Sequence, residues 1–277
     1  DPVWRILLYP RFVLAVIFAA GGAFLLATRR ITPRGRLWAL AGAIAVFGLA
    51  EPIVPGLFGA RLGWHPSPVC AVMRPVIRTL QGRAVAPGFW VTLGFVGALT
   101  LAGNKLFCGW VCPIGALQEL VHRIPLRPGA KRRMPFRTTN AVRIALFIIF
   151  VIVALATGKL VYRAVSPFAF LQWDMKAAGI VSLAVTLLAS LVFWRPFCHL
   201  VCPMGLVTWI VEQFSLLRVR RVQGACNECG VCAKRSPCEA VPAIVEKRRV
   251  RPDCFACGFC VDRCARSGLA YGRRKGK

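Results

Sequence analysis

Phe107-Cys108-Gly109-Trp110-Val111-Cys112-Pro113-Ile114-Gly115 recurs ninety residues later as Phe197-Cys198-His199-Leu200-Val201-Cys202-Pro203-Met204-Gly205. Each copy follows an uncharged apolar run and precedes a helical pattern that ends on a basic residue, over residues 116–127 and 206–218. A Ser-Pro pair stands ahead of each run, Ser67-Pro68 and Ser166-Pro167. The unit therefore reads as a loop, an apolar crossing, a cysteine pair and an interfacial helix, and the chain carries it twice. Parallel repeats of this kind pack about an axis along the membrane normal and bring equivalent sites together.

Outward from the repeat, the composition sets the class. Hydrophobic residues make up 57% of the chain and charged residues only 17%, with a mean hydropathy of +0.62, which does not describe a soluble domain of this length. Residues 12–28, 37–50, 84–104, 144–158 and 177–194 are uncharged. A helix needs about 20 residues to cross the hydrocarbon core, with roughly 17 as the lower limit. Three runs meet that limit; the second reaches it through Glu51 and Pro52, and the fourth through Arg143 with its side chain snorkelling. The expectation is a multi-pass all-α membrane domain of about five transmembrane helices, with four as the alternative. The first run, preceded by Arg5 and Arg11, reads as a retained anchor and not as a cleaved signal.

Lys and Arg number 37 against 10 Asp and Glu, for a net charge of +27. Five spans place 28 of those 37 basic residues on the side that holds the C-terminus. By the positive-inside rule that side is the cytoplasm of a bacterial inner membrane, with both cysteine pairs inside and Cys70 outside. Topology accounts for the basic charge, so nucleic acid is not an expected partner, whereas anionic membrane lipid is.

Eight more cysteines close the chain: Cys226, Cys229, Cys232 and Cys238, then Cys254, Cys257, Cys260 and Cys264. Two CxxCxxC runs, each trailed by another cysteine, are the spacing of a ferredoxin holding two [4Fe–4S] clusters, in which the fourth ligand crosses to the other cluster. On that pattern Cys226, Cys229, Cys232 and Cys264 hold one cluster, and Cys254, Cys257, Cys260 and Cys238 the other. Five residues separate Cys232 from Cys238 where three are usual, and no proline follows Cys264. Gly230 and Gly258 permit the tight turns such loops need. The domain division expected is 1–218 for the membrane part and 219–277 for a small α+β bacterial-type ferredoxin.

The CxxxCP cysteines admit more readings. Cysteines four apart on a helix share a face, so Cys108, Cys112, Cys198 and Cys202 together offer four sulfurs to a shared redox metal or a third cluster. Structural zinc, a disulfide or plain packing are the alternatives. His199, inside the second motif, either tunes the sulfur site or is an interfacial residue. Glu51, at the end of an apolar run, is a candidate proton or quinone contact, or simply meets water where Pro52 and Pro55 end the span. Trp38, Trp64, Trp90, Trp173 and Trp194 fall near span ends, as an aromatic belt would place them. CxxCH, Walker and Rossmann patterns are absent, which removes c-type haem, nucleotide-driven transport and hydride chemistry.

Two CxxxCP motifs in a multi-span chain that ends in a double-cluster ferredoxin resemble the NapH and MauN ferredoxin-type proteins, the C-terminal half of NosR and the CcoG copper-oxidase assembly proteins. The resemblance implies electron transport between the quinone pool, or a cytoplasmic donor, and a respiratory or periplasmic redox partner within a membrane complex. A quinol dehydrogenase-type subunit is the enzymatic form of that reading. An assembly factor that reduces or delivers copper or another metal to a periplasmic enzyme is the alternative.

Overall fold

The computed structural model describes residues 8–50, 67, 69–127, 129–172, 176–264 and 266–273. Glu51, His65, Trp64 and Trp173 lie outside them. The chain is mostly helical. Helix α1 (Pro10–Ala27) opens on a proline at its first turn, where the missing N–H costs nothing. Helix α2 (Pro33–Ala43) also opens on proline, with the Thr32 hydroxyl accepting from the Gly35 N–H at 3.0 Å, and runs on as a π-helical stretch over Ile44–Leu49. A short helix α3 (Arg74–Leu80) leads to α4 (Pro87–Gly103). After the first cysteine motif come α5 (Pro113–His122) and α6 (Phe136–Thr157). A one-turn α7 (Tyr162–Val165) and α8 (Ala177–Val192) precede the second motif, which contains α9 (Pro196–Leu200) and is followed by α10 (Pro203–Glu212).

Helices α1 and α6 are long and apolar enough to cross a membrane; α4 and α8 are as apolar but span 17 and 16 residues. Outward faces carry large apolar side chains, among them Ile17, Phe24, Ile148, Ile152, Val185 and Leu188. In water such a surface would be a liability; against lipid it is the expected one. Trp38 is 79% exposed, as a belt residue is, but Trp194 is 4% exposed and stands edge-on to His122 with ring centroids 5.3 Å apart. Its position at a span end is that of a packing residue, because the loop after α5 folds back over it.

The C-terminal part is built on a two-stranded antiparallel sheet, β1 (Leu217–Arg221) with β2 (Leu269–Arg273), in the register Val219 opposite Tyr271. Alternation turns Val219, Leu269 and Tyr271 inward, which is the period-2 logic of a half-buried strand. Short helices α11 (Val231–Arg235), α12 (Ala240–Val245) and α13 (Phe259–Asp262) fill the loops between the strands. Gly230 and Gly258, the N-cap residues of α11 and α13, both take left-handed φ values, +71° and +79°.

One end of each of α1, α4 and α6 meets this small domain. Arg29, just past α1, donates to the Ser267 carbonyl at 2.8 Å, and the Tyr271 hydroxyl donates to the Gly103 carbonyl at the end of α4 at 3.0 Å. The Phe136 N–H at the start of α6 donates to Glu239 at 2.7 Å. The two repeats interlock beneath it: α5 of the first packs on α8 of the second, and α10 of the second packs on α4 of the first.

Candidate metal centre

The expectation that each cysteine pair shares one helical face is corrected by the structure. Cys108 sits in a single π-helical turn, Phe107–Val111, and Cys198 in the short α9, but Cys112 and Cys202 are extended, with ψ of 115° and 113°. Proline at the next position excludes the α region for the residue before it. The second cysteine of each pair is therefore the N-cap of a new helix with proline at N1. The Cys112 sulfur accepts from the Gly115 N–H at 3.5 Å. A Cβ on Gly115 would lie 2.7 Å from the Cys108 carbonyl oxygen, and one on Gly205 2.6 Å from that of Cys198. Glycine at the third position after each proline-linked cysteine lets the motif fold back on itself.

Contacts between the repeats are reciprocal. Three residues before the first cysteine stands a base, Lys105 or Arg195, and each reaches the other motif: Lys105 Nζ donates to the Gly205 carbonyl at 2.7 Å, Arg195 Nη1 to the Cys108 carbonyl at 2.7 Å. Six residues after the second cysteine stands a polar residue, Gln118 or Thr208. Gln118 Nε2 donates to the Cys198 sulfur at 3.3 Å, and the Thr208 hydroxyl donates to the Met204 carbonyl at 2.7 Å within its own repeat. All four motif cysteines are free and 7 to 9% exposed.

Burial pushes the Cys108 thiol up to about 11, opposed by Lys105 and Arg195 and reinforced by Cys198. Burial raises Cys112 and Cys202 too, with Cys198 and Cys108 adding like charge in both cases. Four thiols that hinder one another's ionisation in a dry pocket fit a site whose charge is taken up by bound metal. Among the described residues no three His, Cys, Asp or Glu side chains are gathered tightly enough for one metal ion. Zinc would hold four sulfurs at about 2.3 Å, whereas a four-iron cluster takes one cysteine per iron and keeps them further apart.

Two buried carboxylates, which the motif reading had missed, hold the bases in place. Glu119 accepts from Arg36 at 2.8 Å, Arg195 at 2.6 Å and Arg123 at 3.0 Å, and these guanidinium groups outweigh its burial and keep it ionised far below the carboxylate range. Asp253 takes the ammonium of Lys105, Arg143 at 3.2 Å and His199 Nδ1 at 3.1 Å. Burial would raise Asp253, but Lys105 in the first place brings it below its usual value. His199 is thus a partner of Asp253, stacked edge-on to Phe255 at 5.3 Å, and burial lowers its pKa. The chain offered a signal for this network: few acids, with Glu119 and Asp253 close to cysteines, and a base three residues ahead of each motif.

Asp253 belongs to the ferredoxin. The segment 253–257 lies across both motifs: the Lys105 N–H donates to the Cys254 carbonyl at 3.2 Å and Trp110 Nε1 to the Ala256 carbonyl at 2.9 Å. A Cβ on Gly109 would collide with the Phe255 carbonyl. The Arg195 guanidinium lies 4.5 Å from the Phe255 ring centre and feels the charges of both Cys198 and Cys257. Glu212, at the end of α10, accepts from the Cys254 N–H at 2.8 Å, and burial keeps it neutral, well above the usual carboxylate range.

The eight ferredoxin cysteines fall into two neighbourhoods. Cys232 senses the charges of Cys264, Cys226 and Cys229, and these four line a cavity of about 300 Å³. Cys254 and Cys257 both sense Cys238, and Cys260 senses Cys254, Cys257 and Cys238. Cys70 lies in the π-helical turn Val69–Met73, apart in sequence from the twelve.

A family model described as a 4Fe-4S binding domain matches residues 85–134 and 176–222, which are the two CxxxCP repeats themselves. YccM of Escherichia coli is 26% identical over 63% of this chain and 53% of its own length. The methylamine utilization ferredoxin-type protein MauN of Paracoccus denitrificans is 28% identical over 70% of the chain and 63% of its own. The ferredoxin-type protein NapH of Haemophilus influenzae is 26% identical over 59% and 55%. The chain thus spans 53 to 63% of the length of these relatives, and no solved structure matches it. By its motifs and these relatives together, the chain is similar to the NapH and MauN ferredoxin-type proteins.

Proposed function

We propose that the protein is a multi-pass membrane electron carrier in which a double-cluster ferredoxin exchanges electrons with a third centre held between the repeats. Cys226, Cys229, Cys232 and Cys264 would hold one [4Fe–4S] cluster, and Cys238, Cys254, Cys257 and Cys260 the second. Cys108, Cys112, Cys198 and Cys202 would hold the third centre. The clusters, when bound, supply one-electron chemistry. The observation that carries the reading is the seating of residues 253–257 on both motifs, through Lys105, Trp110 and His199, with the Arg195 guanidinium against the Phe255 ring.

The residues of the chain do the rest. Lys105 and Arg195 hold the motif backbones through the Gly205 and Cys108 carbonyls, and Gln118 donates to the Cys198 sulfur, which raises the potential of a sulfur-ligated centre by favouring its reduced, more negative form. Burial excludes water from it. Residues 1–218 would form five spans, with the ferredoxin, residues 219–277, on the cytoplasmic face and membrane quinone and a respiratory or periplasmic redox protein as partners. The reading as a metal-delivery factor fits less well, because a site that hands over metal must be reachable and these four sulfurs are buried.

The test is anaerobic reduction of the full chain in lipid nanodiscs. Dithionite should bleach the cluster absorbance fully and a quinol analogue in part. Bleaching by dithionite alone removes quinone from the proposal, and stoichiometric copper in the anaerobic protein replaces the carrier reading with the assembly one.

A further inference from the structure

Beside the second ferredoxin neighbourhood, a cleft of about 490 Å³ opens between the membrane part and the small domain. Its walls are the end of α5, the loop 131–133, α11 and the start of α13. The cleft is built and not a loose gap. His122 Nδ1 is paired with the Ser190 carbonyl at 2.9 Å, and Lys131 donates to the His122 carbonyl at 2.5 Å. The Arg132 N–H binds the Val192 carbonyl at 3.0 Å. Across the opening, Arg133 caps α11 through the Ser236 and Lys234 carbonyls at 2.9 and 2.8 Å.

What remains is an excess of positive charge over the carboxylates that reach it. Arg123, Lys131, Arg132, Lys234, Arg235 and Arg263 all face the cleft. Arg123 shares Glu119 with two other guanidinium groups, and its Nε is buried with no partner among the described residues. Arg263 has only a 3.8 Å approach to Asp262. Among the described residues, the side chains of Arg132, Lys234 and Arg235 have no carboxylate partner. Six cations fixed around one cavity repel one another unless an anion enters.

The rim tells which anion. Leu37 and the buried Trp194 line the cleft on the side of the apolar helices, and Trp38 and Ile124 beside them are exposed. An opening with cations on one side and lipid-facing apolar groups on the other matches an amphiphile with an anionic phosphate head. We propose that this cleft binds a phosphate-bearing anion, and that the membrane supplies it as a phospholipid headgroup. The lipid source rests on reading the apolar helices as membrane spans; the phosphate site does not.

The experiment is native mass spectrometry of the full chain in detergent, with added phosphatidylglycerol, phosphatidylcholine or inorganic phosphate. The expected result is retention of phosphatidylglycerol roughly tenfold above phosphatidylcholine. That preference should vanish in Lys234→Glu with Arg235→Glu, and separately in Arg132→Glu, with the iron content of each variant unchanged. Binding of inorganic phosphate that displaces phosphatidylglycerol, or occurs in protein recovered without detergent, keeps the site and makes the source soluble; in the second case the span reading falls. Equal retention of the two lipids with no phosphate bound overturns the proposal.

Discussion

The two CxxxCP repeats share a backbone and differ in what neutralises them. In the first, Glu119 comes from the repeat's own helix α5 and gathers Arg36, Arg123 and Arg195. In the second, the equivalent work falls to Asp253, which the ferredoxin inserts beside Lys105, Arg143 and His199. Position 109 of the first motif is a glycine that lets the Phe255 carbonyl lie against it, and the matching position 199 is a histidine that binds Asp253. Duplication supplied a symmetric sulfur pocket; one asymmetric segment, 253–257, then broke the symmetry at the matched residues. The carboxylate of the first motif comes from its own repeat, whereas that of the second comes only with segment 253–257, which also packs on Gly109 and Trp110 of the first.

The sharpest way to break that comparison is at the sulfurs. Replacing Cys108 and Cys198 together by Ser should remove the third centre and reduce quinol-dependent bleaching of the other two clusters by at least about a hundredfold, as for loss of an essential relay. The signals of the ferredoxin clusters should persist, which anaerobic paramagnetic resonance after dithionite would show.

Next are the carboxylates. Glu119→Gln and Asp253→Asn each leave buried bases unpaired, at a cost of about 3–5 kcal/mol, measurable by chemical unfolding. The two should part in one respect. Asp253→Asn undocks the small domain and exposes the chain near residues 222–225 to protease, while Glu119→Gln loosens the first motif and leaves the domain seated.

Acid should act through Glu119 in a definite direction. Its folded-state pKa lies below its unfolded value near 4.3, so its contribution is whole above that value and falls away as pH drops through the folded one. Stability of the wild type should decline more steeply below about pH 4 than that of Glu119→Gln.

The smallest effect is at the sulfur donor. Gln118→Ala removes the hydrogen bond to the Cys198 sulfur, worth about 1 kcal/mol, or roughly 40 mV in a one-electron couple, and should lower the potential of the third centre by that amount. An unchanged potential would show that Gln118 does not tune it.

The sequence made the repeat, the cysteine groups and the apolar helices legible, because ligand spacing and hydropathy are local properties. It hid the break between the cysteines of each pair, although Pro113 and Pro203 carried that information through their effect on the preceding residue. It hinted at the members of the ion network but hid the pairings, since Lys105 with Asp253 and Arg36 with Glu119 are joined across 148 and 83 positions. Trp194 and His199 misled for the same reason: both stand at the end of an apolar run by position, and a segment that returns from elsewhere buries the first and partly covers the second.

The central claim is that the four CxxxCP cysteines hold a centre of their own beside the ferredoxin. Iron and acid-labile sulfide, measured per chain after anaerobic purification of the wild type and of the Cys108→Ser, Cys198→Ser double variant, test it most directly. With a four-iron cluster between the repeats, the account predicts about twelve irons falling to about eight. Equal iron in the two proteins, with about eight in each, would contradict it.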